Sequence, residues 1–241
     1  MYLQEVEKTL QKAVPRGKKA SYFDPETYMN TSTLMLGLTV PQQREVFKKG
    51  YSFSTLSMED QLKIWNQVWQ QATTFEVLTQ AVFFPEKYAG KFDTAYLFGI
   101  MKKWIKKVDN WGHSDMLSSI FAKMLVKEPK VIFDQLEKWN SSKNPWERRQ
   151  SIVPLAMYHR RNQAIGFKPC IQLVENLLGD DDYYVQKGVG WALREIGTQY
   201  PEETWKFLQK HVYSISSIAF TASVEKISKE RKELLKDRRK K

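Results

Sequence analysis

One spacing runs through most of the chain: apolar residues stand three and four positions apart, with polar residues between them. In "MEDQLKIWNQVWQQA" the apolar positions are Leu62, Trp65, Val68 and Trp69, a set that falls on one face of a helix. "TFEVLTQAVFFPEKY" continues in the same way as far as Pro85. "PKVIFDQLEKWN" places Val131, Ile132, Leu136 and Trp139 on one stripe. "PEETWKFLQKHV" opens with a proline and two glutamates, residues that suit the first turn of a helix. The alternating pattern of strands bounded by Asn-Gly or Asp-Gly turns is absent. The pattern predicts an all-α protein.

The predicted helices come in pairs. "NWGHSDMLSSIFAKML" leads to "EPKVIFDQLEKW", "NPWERRQSIVPLAMYH" to "FKPCIQLVENLL", and "DDDYYVQKGVGWALREIG" to "PEETWKFLQKHV". Successive first helices start about 35 to 38 residues apart, which suits two-helix units of the HEAT kind. Such units stack into an α-α superhelix (a solenoid) whose inner helices line a concave groove, here expected to be basic. A plain helical bundle is the alternative. The expectation is a single HEAT-like repeat domain over residues 1–241. Within it, residues 1–50 would form an atypical cap of short helices with a loop from Gly37 to Pro41.

Composition and charge narrow the class of partner. At 42% hydrophobic and 13% aromatic residues, the 241-residue chain can bury a core. Its formal charge is +11, which points to a polyanion, nucleic acid before an anionic membrane. Residues 225–241 carry nine Lys/Arg against four Asp/Glu and should form a basic helix or tail. The rest is basic as well, with 29 against 23. Cys170 is the sole cysteine, so no intrachain disulfide can form and a reducing compartment is expected. The first twenty residues lack an apolar block of signal-peptide type, and "YSISSIAFTASV" is too short and polar to cross a bilayer. A cytoplasmic protein, in the bacterial cytosol or nucleoid, is expected.

Several familiar sites are missing. His113, His159 and His211 are scattered, with no cluster at metal-ligand spacing; neither metal nor cofactor is expected. "GVGWALREIG" lacks the third glycine of a dinucleotide loop and follows no strand. "DDD" at 180–182 reads as a helix cap. What remains is a set of aromatic and charged residues on the expected inner helices: Trp111 with Asp115, then Arg149, then Lys187 with Trp191. Each alone has an ordinary alternative as a core aromatic, a helix-end carboxylate or a solvated cation. Trp111 and Asp115 stand one turn apart on one face. Trp191 follows Gly188 and Gly190; mid-helix glycines cost about 1 kcal/mol each relative to alanine, a cost that points to a close approach to the backbone there.

"NWGHSD", "NPWERRQSIV" and "QKGVGWALREIG", with "YMNTSTLMLGL" near the N-terminus, resemble, in order and spacing, segments of the AlkD-type DNA alkylation repair glycosylases. The resemblance covers about residues 20–225. It implies a HEAT-like solenoid that removes cationic N3- and N7-alkylpurines from double-stranded DNA, working on the sugar–phosphate side with the base in or near the stack. Trp111 and Trp191 match the two tryptophans that embrace the lesion's deoxyribose. Asp115 matches the catalytic carboxylate, Arg149 an arginine that holds a nearby phosphate, and Tyr28 an aromatic at the mouth of the groove. The chain departs from the pattern at Thr39, where the family has a glutamine, and at Met157, where it has a lysine. Thr39 remains a candidate DNA contact.

The chemistry is consistent with that resemblance. An alkylated purine is already a cationic leaving group. Positive charge moves onto the sugar as the C1′–N bond breaks, and a fixed carboxylate stabilises it and can orient or deprotonate a water. Indole faces attract a cation by about 0.5 to 2 kcal/mol each. The expected activity is that of a monofunctional DNA glycosylase of base excision repair, a hydrolase without lyase activity. It would act as a monomer on double-stranded DNA containing alkylated bases. Arg148, Arg149, Lys187 and Arg194 would reach phosphates, with Arg194 equally readable as a structural ion. Two alternatives stand beside this: a non-catalytic HEAT-like protein that binds damaged or branched DNA, and a protein-binding HEAT scaffold.

Overall fold

The computed structural model describes residues 1–15, 25–29, 31–158 and 165–240. His159 and the residues that join the second predicted helix pair lie outside the described residues. The secondary structure is helical, with no β-strand among the described residues beyond an isolated bridge between Leu34 and Thr74. The chain divides into two compact units, Met1–Ile120 and Phe121–Lys241.

The first unit contains α1 (Tyr2–Ala13), α2 (Pro25–Met29), α3 (Val40–Lys49), α4 (Met58–Gln71), α5 (Phe75–Tyr88), α6 (Thr94–Met101) and the start of α7 (Trp111–Lys127). The predicted stripe of α4 is the buried one: Leu62, Trp65, Val68 and Trp69 are all at most 1% exposed. Trp69 stacks on Trp104 at 4.9 Å, and its Nε1–H donates to the Trp104 carbonyl. α5 is buried on every side from Phe75 to Pro85, as expected of a helix surrounded by others. It also runs past Pro85 to Tyr88, where the sequence pattern suggested an end. The predicted Gly37–Pro41 loop is shorter than expected. α3 starts at Val40, because Pro41 occupies its first turn, where no N–H is needed.

The second unit continues with α8 (Pro129–Asn140), α9 (Pro145–Gln150), α10 (Val153–Tyr158), α11 (Phe167–Glu175), α12 (Tyr183–Gln199), α13 (Pro201–Lys210), α14 (Ser217–Ser223) and α15 (Lys229–Lys240). The helices arrive in the predicted order, with two corrections. On α8, Ile132, Leu136 and Trp139 are buried, but Val131 is 43% exposed; a residue adjacent to the stripe is turned about 100° away from it. The helix expected over 145–158 is broken after Gln150. Pro154 has no N–H for the Gln150 carbonyl, and its ring crowds that oxygen.

The glycines of α12 are explained within the second unit. A Cβ on Gly190 would meet the Ala219 carbonyl oxygen at 2.5 Å, and one on Gly188 would meet Val153 Cγ2 at 3.2 Å and Arg149 Nη1 at 3.3 Å. What approaches the backbone is the protein's own α14, α10 and α9. The basic C-terminal segment is a docked helix: Leu235 is fully buried, and Arg239 Nη1 donates to the carbonyls of Val212 and Ile215, each at 2.7 Å. Cys170 on α11 is buried, and burial pushes its thiol up to about 12.

Candidate functional site

The start of α7 sets the site in the first unit. Asn110 caps it, its Oδ1 accepting from the His113 backbone N–H at 2.9 Å. This fixes the phase of the helix. His113, Ser114, Leu117 and Ile120 turn inward and are buried, while Trp111, Gly112, Asp115, Met116 and Ser119 border a cleft of about 580 Å³. The one-turn spacing of Trp111 and Asp115 therefore places both on the cleft side of the helix. Both are half-buried.

The buried side of this turn is polar and satisfied. His113 Nδ1 accepts from Asn110 Nδ2 at 3.0 Å, which leaves Nε2–H to donate to the Phe75 carbonyl and Thr79 Oγ1, both at 3.1 Å. Desolvation lowers the His113 pKa to about 4, against smaller opposing effects from the Phe75 carbonyl and Asp109, so the ring is neutral at physiological pH. Asp109 accepts from Thr31 Oγ1 at 2.6 Å and Thr33 Oγ1 at 2.9 Å, and from Asn110 Nδ2 at 2.8 Å. Burial works to raise this carboxyl, but the bonds from Thr31, Asn110 and Thr33 outweigh it and hold it below the usual range. The pair of threonines latches the segment after residue 30 to the foot of α7. The sequence reading missed Asp109 altogether.

Tyr28 meets Trp111 edge-to-face at 5.3 Å, and Trp111 Nε1–H donates to the Tyr28 carbonyl at 3.3 Å. Met29 packs on Gly112; its Cε and Sδ would each stand 3.3 Å from a Cβ there. Met35, Leu38, Val40, Phe75 and Thr79 complete much of the wall.

Thr39, a predicted DNA contact, borders the cleft and is exposed. It also precedes α3 as its capping residue: its N–H and Oγ1 donate to Gln42 Oε1 at 2.8 and 2.9 Å.

Gly37 and Leu38, which also border the cleft, belong to a pinned loop. The fully buried Glu76 carboxylate accepts from the backbone N–H groups of Leu36, Gly37 and Leu38 at 2.9, 2.8 and 3.2 Å. Gly37 has φ +81°, the left-handed region that suits glycine. Gln43, 1% exposed, binds the same loop, its Nε2–H donating to the Leu38 carbonyl at 2.7 Å. Its Oε1 is buried with no hydrogen-bond partner among the described residues.

The other predicted residues belong to the second unit. Arg149 is 4% exposed and donates from Nη1 to the Tyr184 carbonyl at 2.5 Å. Arg148 grips Asp180 through Nε and Nη2 at 2.5 and 3.1 Å and donates to the carbonyls of Ser142 and Lys143; Asp180 raises its pKa. Asp182 caps α12, accepting from the Tyr184 and Val185 N–H groups. Lys187 is exposed and Trp191 half-buried on the same helix. Arg194 pairs with Glu195 at 3.0 Å and with Glu225, and Lys226 closes on Glu195 at 2.9 Å. Of the two readings open for Arg194, the ion-pair network supplies the structural one with partners. No group of three or more His, Cys, Asp or Glu able to hold a metal occurs among the described residues, and no described helix is long and apolar enough to cross a membrane.

Comparison with known proteins places the chain among DNA alkylation repair proteins of the helical-repeat type. A family model described as "DNA alkylation repair enzyme" matches residues 6–227. The chain belongs to that family. Among solved structures it is similar to a predicted DNA alkylation repair enzyme from Enterococcus faecalis, with 16% identity, a TM-score of 0.72, and coverage of 85% of this chain and 93% of that one. It is also similar to AlkD2 from Streptococcus mutans, with 19% identity, a TM-score of 0.63, and coverage of 95% and 100% respectively. At these identities the likeness shows the all-α helical-repeat fold. No curated protein sequence matches the chain.

Proposed function

We propose that the protein is a monofunctional DNA glycosylase that hydrolyses the N-glycosidic bond of cationic N3- and N7-alkylpurines in double-stranded DNA and leaves an abasic site. The observation that carries this reading is the shared placement of Trp111 and Asp115 along one cleft, in a chain of the DNA alkylation repair family. A carboxylate beside the sugar opposes the charge that develops as the C1′–N bond breaks, and it can orient or deprotonate the water that attacks C1′. The indole supplies a flat, electron-rich face next to that charge. The alkylated base leaves with its bonding electrons and needs no separate acid. No lysine is among the described residues that border the cleft, which fits hydrolysis rather than Schiff-base chemistry.

Trp191 and Arg149 enter the proposal through the resemblance of their segments to the family's, as second indole and phosphate ligand. Exposed cations such as Lys187 would supply backbone affinity without sequence preference.

The test is base release from a duplex that carries N7-methylguanine. Wild type is expected to release the base, and Asp115→Asn to do so about 10²- to 10³-fold more slowly, the cost of one electrostatic contact made in the transition state. Equal rates would remove Asp115 from the chemistry. Salt-dependent duplex binding with no release by wild type would replace the enzyme with a non-catalytic binder of damaged DNA.

A further inference from the structure

The second unit holds a pocket that the proposed glycosylase chemistry does not use. It has a volume of about 510 Å³, and residues of α12, α13 and the stretch from the end of α14 into α15 border it. That volume lies in the range of small-molecule sites, roughly 300 to 1,000 Å³. The charged lining has one sign: Arg194, Lys226 and Arg231 border the pocket, and no carboxylate does among the described residues. Hydroxyls of Thr198, Thr204 and Ser228 stand among the cations, and Trp205 and Ile227 add an apolar wall.

Ion pairs hold the three cations in place without using up their donors. Arg194 Nε donates to Glu195 at 3.0 Å and its Nη1 to Glu225, while Lys226 closes on Glu195 at 2.9 Å. Arg231 Nη2 donates to both Glu202 oxygens at 2.8 and 3.0 Å, and its guanidinium lies over the Trp205 ring, 5.0 Å from the centroid. One buried carboxylate, Glu195, thus serves two cations, and the other two carboxylates are exposed to water, where salt screens them. Arg194 Nη2 and Arg231 Nε and Nη1 make no hydrogen bond among the described residues. A pocket edged by charges of one sign concentrates its field on an anion, and planar guanidinium groups suit the oxygens of a phosphate.

Thr204 is an independent sign of a ligand. It is 2% exposed, and its Oγ1 is buried with no hydrogen-bond partner among the described residues. Thr198, also on the pocket, returns its hydroxyl to the Arg194 carbonyl one turn back, at 3.1 Å. Thr204 Oγ1 makes no such bond, although the Tyr200 carbonyl stands one turn back and accepts the Thr204 N–H at 3.0 Å. Gly197 keeps the space beside it open: a Cβ there would meet Thr204 Cγ2 at 3.2 Å. Buried hydroxyls are nearly always paired, and one left bare on a cationic pocket can donate to an anion's oxygen.

From these features we infer that the pocket binds an organic phosphate monoester. The phosphate would sit among Arg194, Lys226 and Arg231 and accept the Thr204 O–H, with the body of the molecule against Trp205 and Ile227. Inorganic phosphate alone would leave most of the pocket empty. A mononucleotide and the phosphorylated end of a DNA strand both present the required group. The inference stands apart from the glycosylase reading, which uses none of Thr204, Lys226 and Arg231.

Calorimetric titration of the full chain with deoxyadenosine 5′-monophosphate tests it, at low salt and about pH 7.5, where the monoester is a dianion. Saturable binding is expected, about tenfold or more tighter than that of deoxyadenosine, with inorganic phosphate displacing the nucleotide. Arg231→Gln should weaken binding about tenfold. Thr204→Val should weaken it about fivefold and yet keep or raise the melting temperature, because it removes a hydroxyl that no group of the described protein satisfies. No saturable binding, equal affinity for nucleoside and nucleotide, or binding unchanged by both substitutions would each overturn the inference. Oligonucleotides with and without a 5′-phosphate then identify the source. Displacement of the nucleotide by the phosphorylated strand alone assigns the pocket to a strand end, and displacement by neither assigns it to a free nucleotide. Equal displacement by both would put an internal phosphodiester there and overturn the monoester.

Discussion

Gly190 and Ala219 bring two helices together backbone to backbone: a Cβ on the glycine would stand 2.5 Å from the Ala219 carbonyl oxygen and 3.0 Å from its Cα. Neither of those atoms can rotate aside. Gly190→Ala is therefore expected to lose about 1 to 3 kcal/mol through overpacking, more than the roughly 1 kcal/mol that alanine returns in helix propensity. Gly99 on α6 is the control, since a Cβ there would meet nothing within 4 Å. Gly99→Ala should gain about 0.5 to 1 kcal/mol. Urea unfolding of the two variants against wild type decides it.

His113 makes the first unit sensitive to acid. Its pKa is about 4 in the folded protein, against an ordinary 6.5. As pH falls below about 6.5 the unfolded chain takes up a proton that the folded chain refuses until about 4. The contribution of the neutral ring is thus complete above pH 6.5 and lost progressively down to pH 4, on the order of 3 kcal/mol in all. Asp109, held below its usual range, acts in the same direction in the more acidic window where it protonates. The melting temperature should fall steeply from pH 6.5 to 4, and His113→Asn should flatten that slope at the cost of a lower plateau.

Glu76 carries the loop that walls the cleft. Glu76→Gln replaces a carboxylate that accepts three backbone N–H bonds with an amide that has one acceptor and brings a donor into their place. Hydrogen bonds to a charged group contribute about 1.5 to 3 kcal/mol, so a loss of at least about 2 kcal/mol is expected. Hydrogen exchange should quicken at residues 36–38 and remain slow in α4. Unchanged exchange in the loop would mean that Glu76 does not hold it.

Arginines and lysines predicted together should separate in experiment. Arg148→Met strands Asp180, whose side chain is 7% exposed, and should lower stability by about 1 to 3 kcal/mol. Lys187→Met touches an exposed cation and should leave stability unchanged. If Lys187 meets a phosphate, the same change weakens duplex binding and reduces the slope of log affinity against log salt by about one.

The sequence made the all-α fold legible because the signal is local. Leu62, Trp65, Val68 and Trp69 announce their face within two turns, and Trp111 and Asp115 need only helical geometry to share a side. Boundaries set by proline were read less well. Pro41 opens a helix, Pro85 lies within one, and Pro154 breaks one, and the outcome depends on which carbonyl each must face. The remainder of the candidate site was hidden because its partners are remote in sequence. Glu76 serves N–H groups about 40 residues earlier, Asp109 holds Thr31 across 78 positions, and nothing near Gln43 reveals an unpaired oxygen. Gly188 and Gly190 were flagged for close approach, but only packing identifies the neighbour as the protein's own helix.

The lone thiol of Cys170, sealed in α11 and pushed up to about 12, equips the second unit with a silent clock. Maleimides attack thiolate at an accessible sulfur, and this sulfur offers neither while its helix stays docked. The pace of alkylation would then time the opening of that unit alone, one covalent mark per molecule, with the tryptophans left to report on everything else.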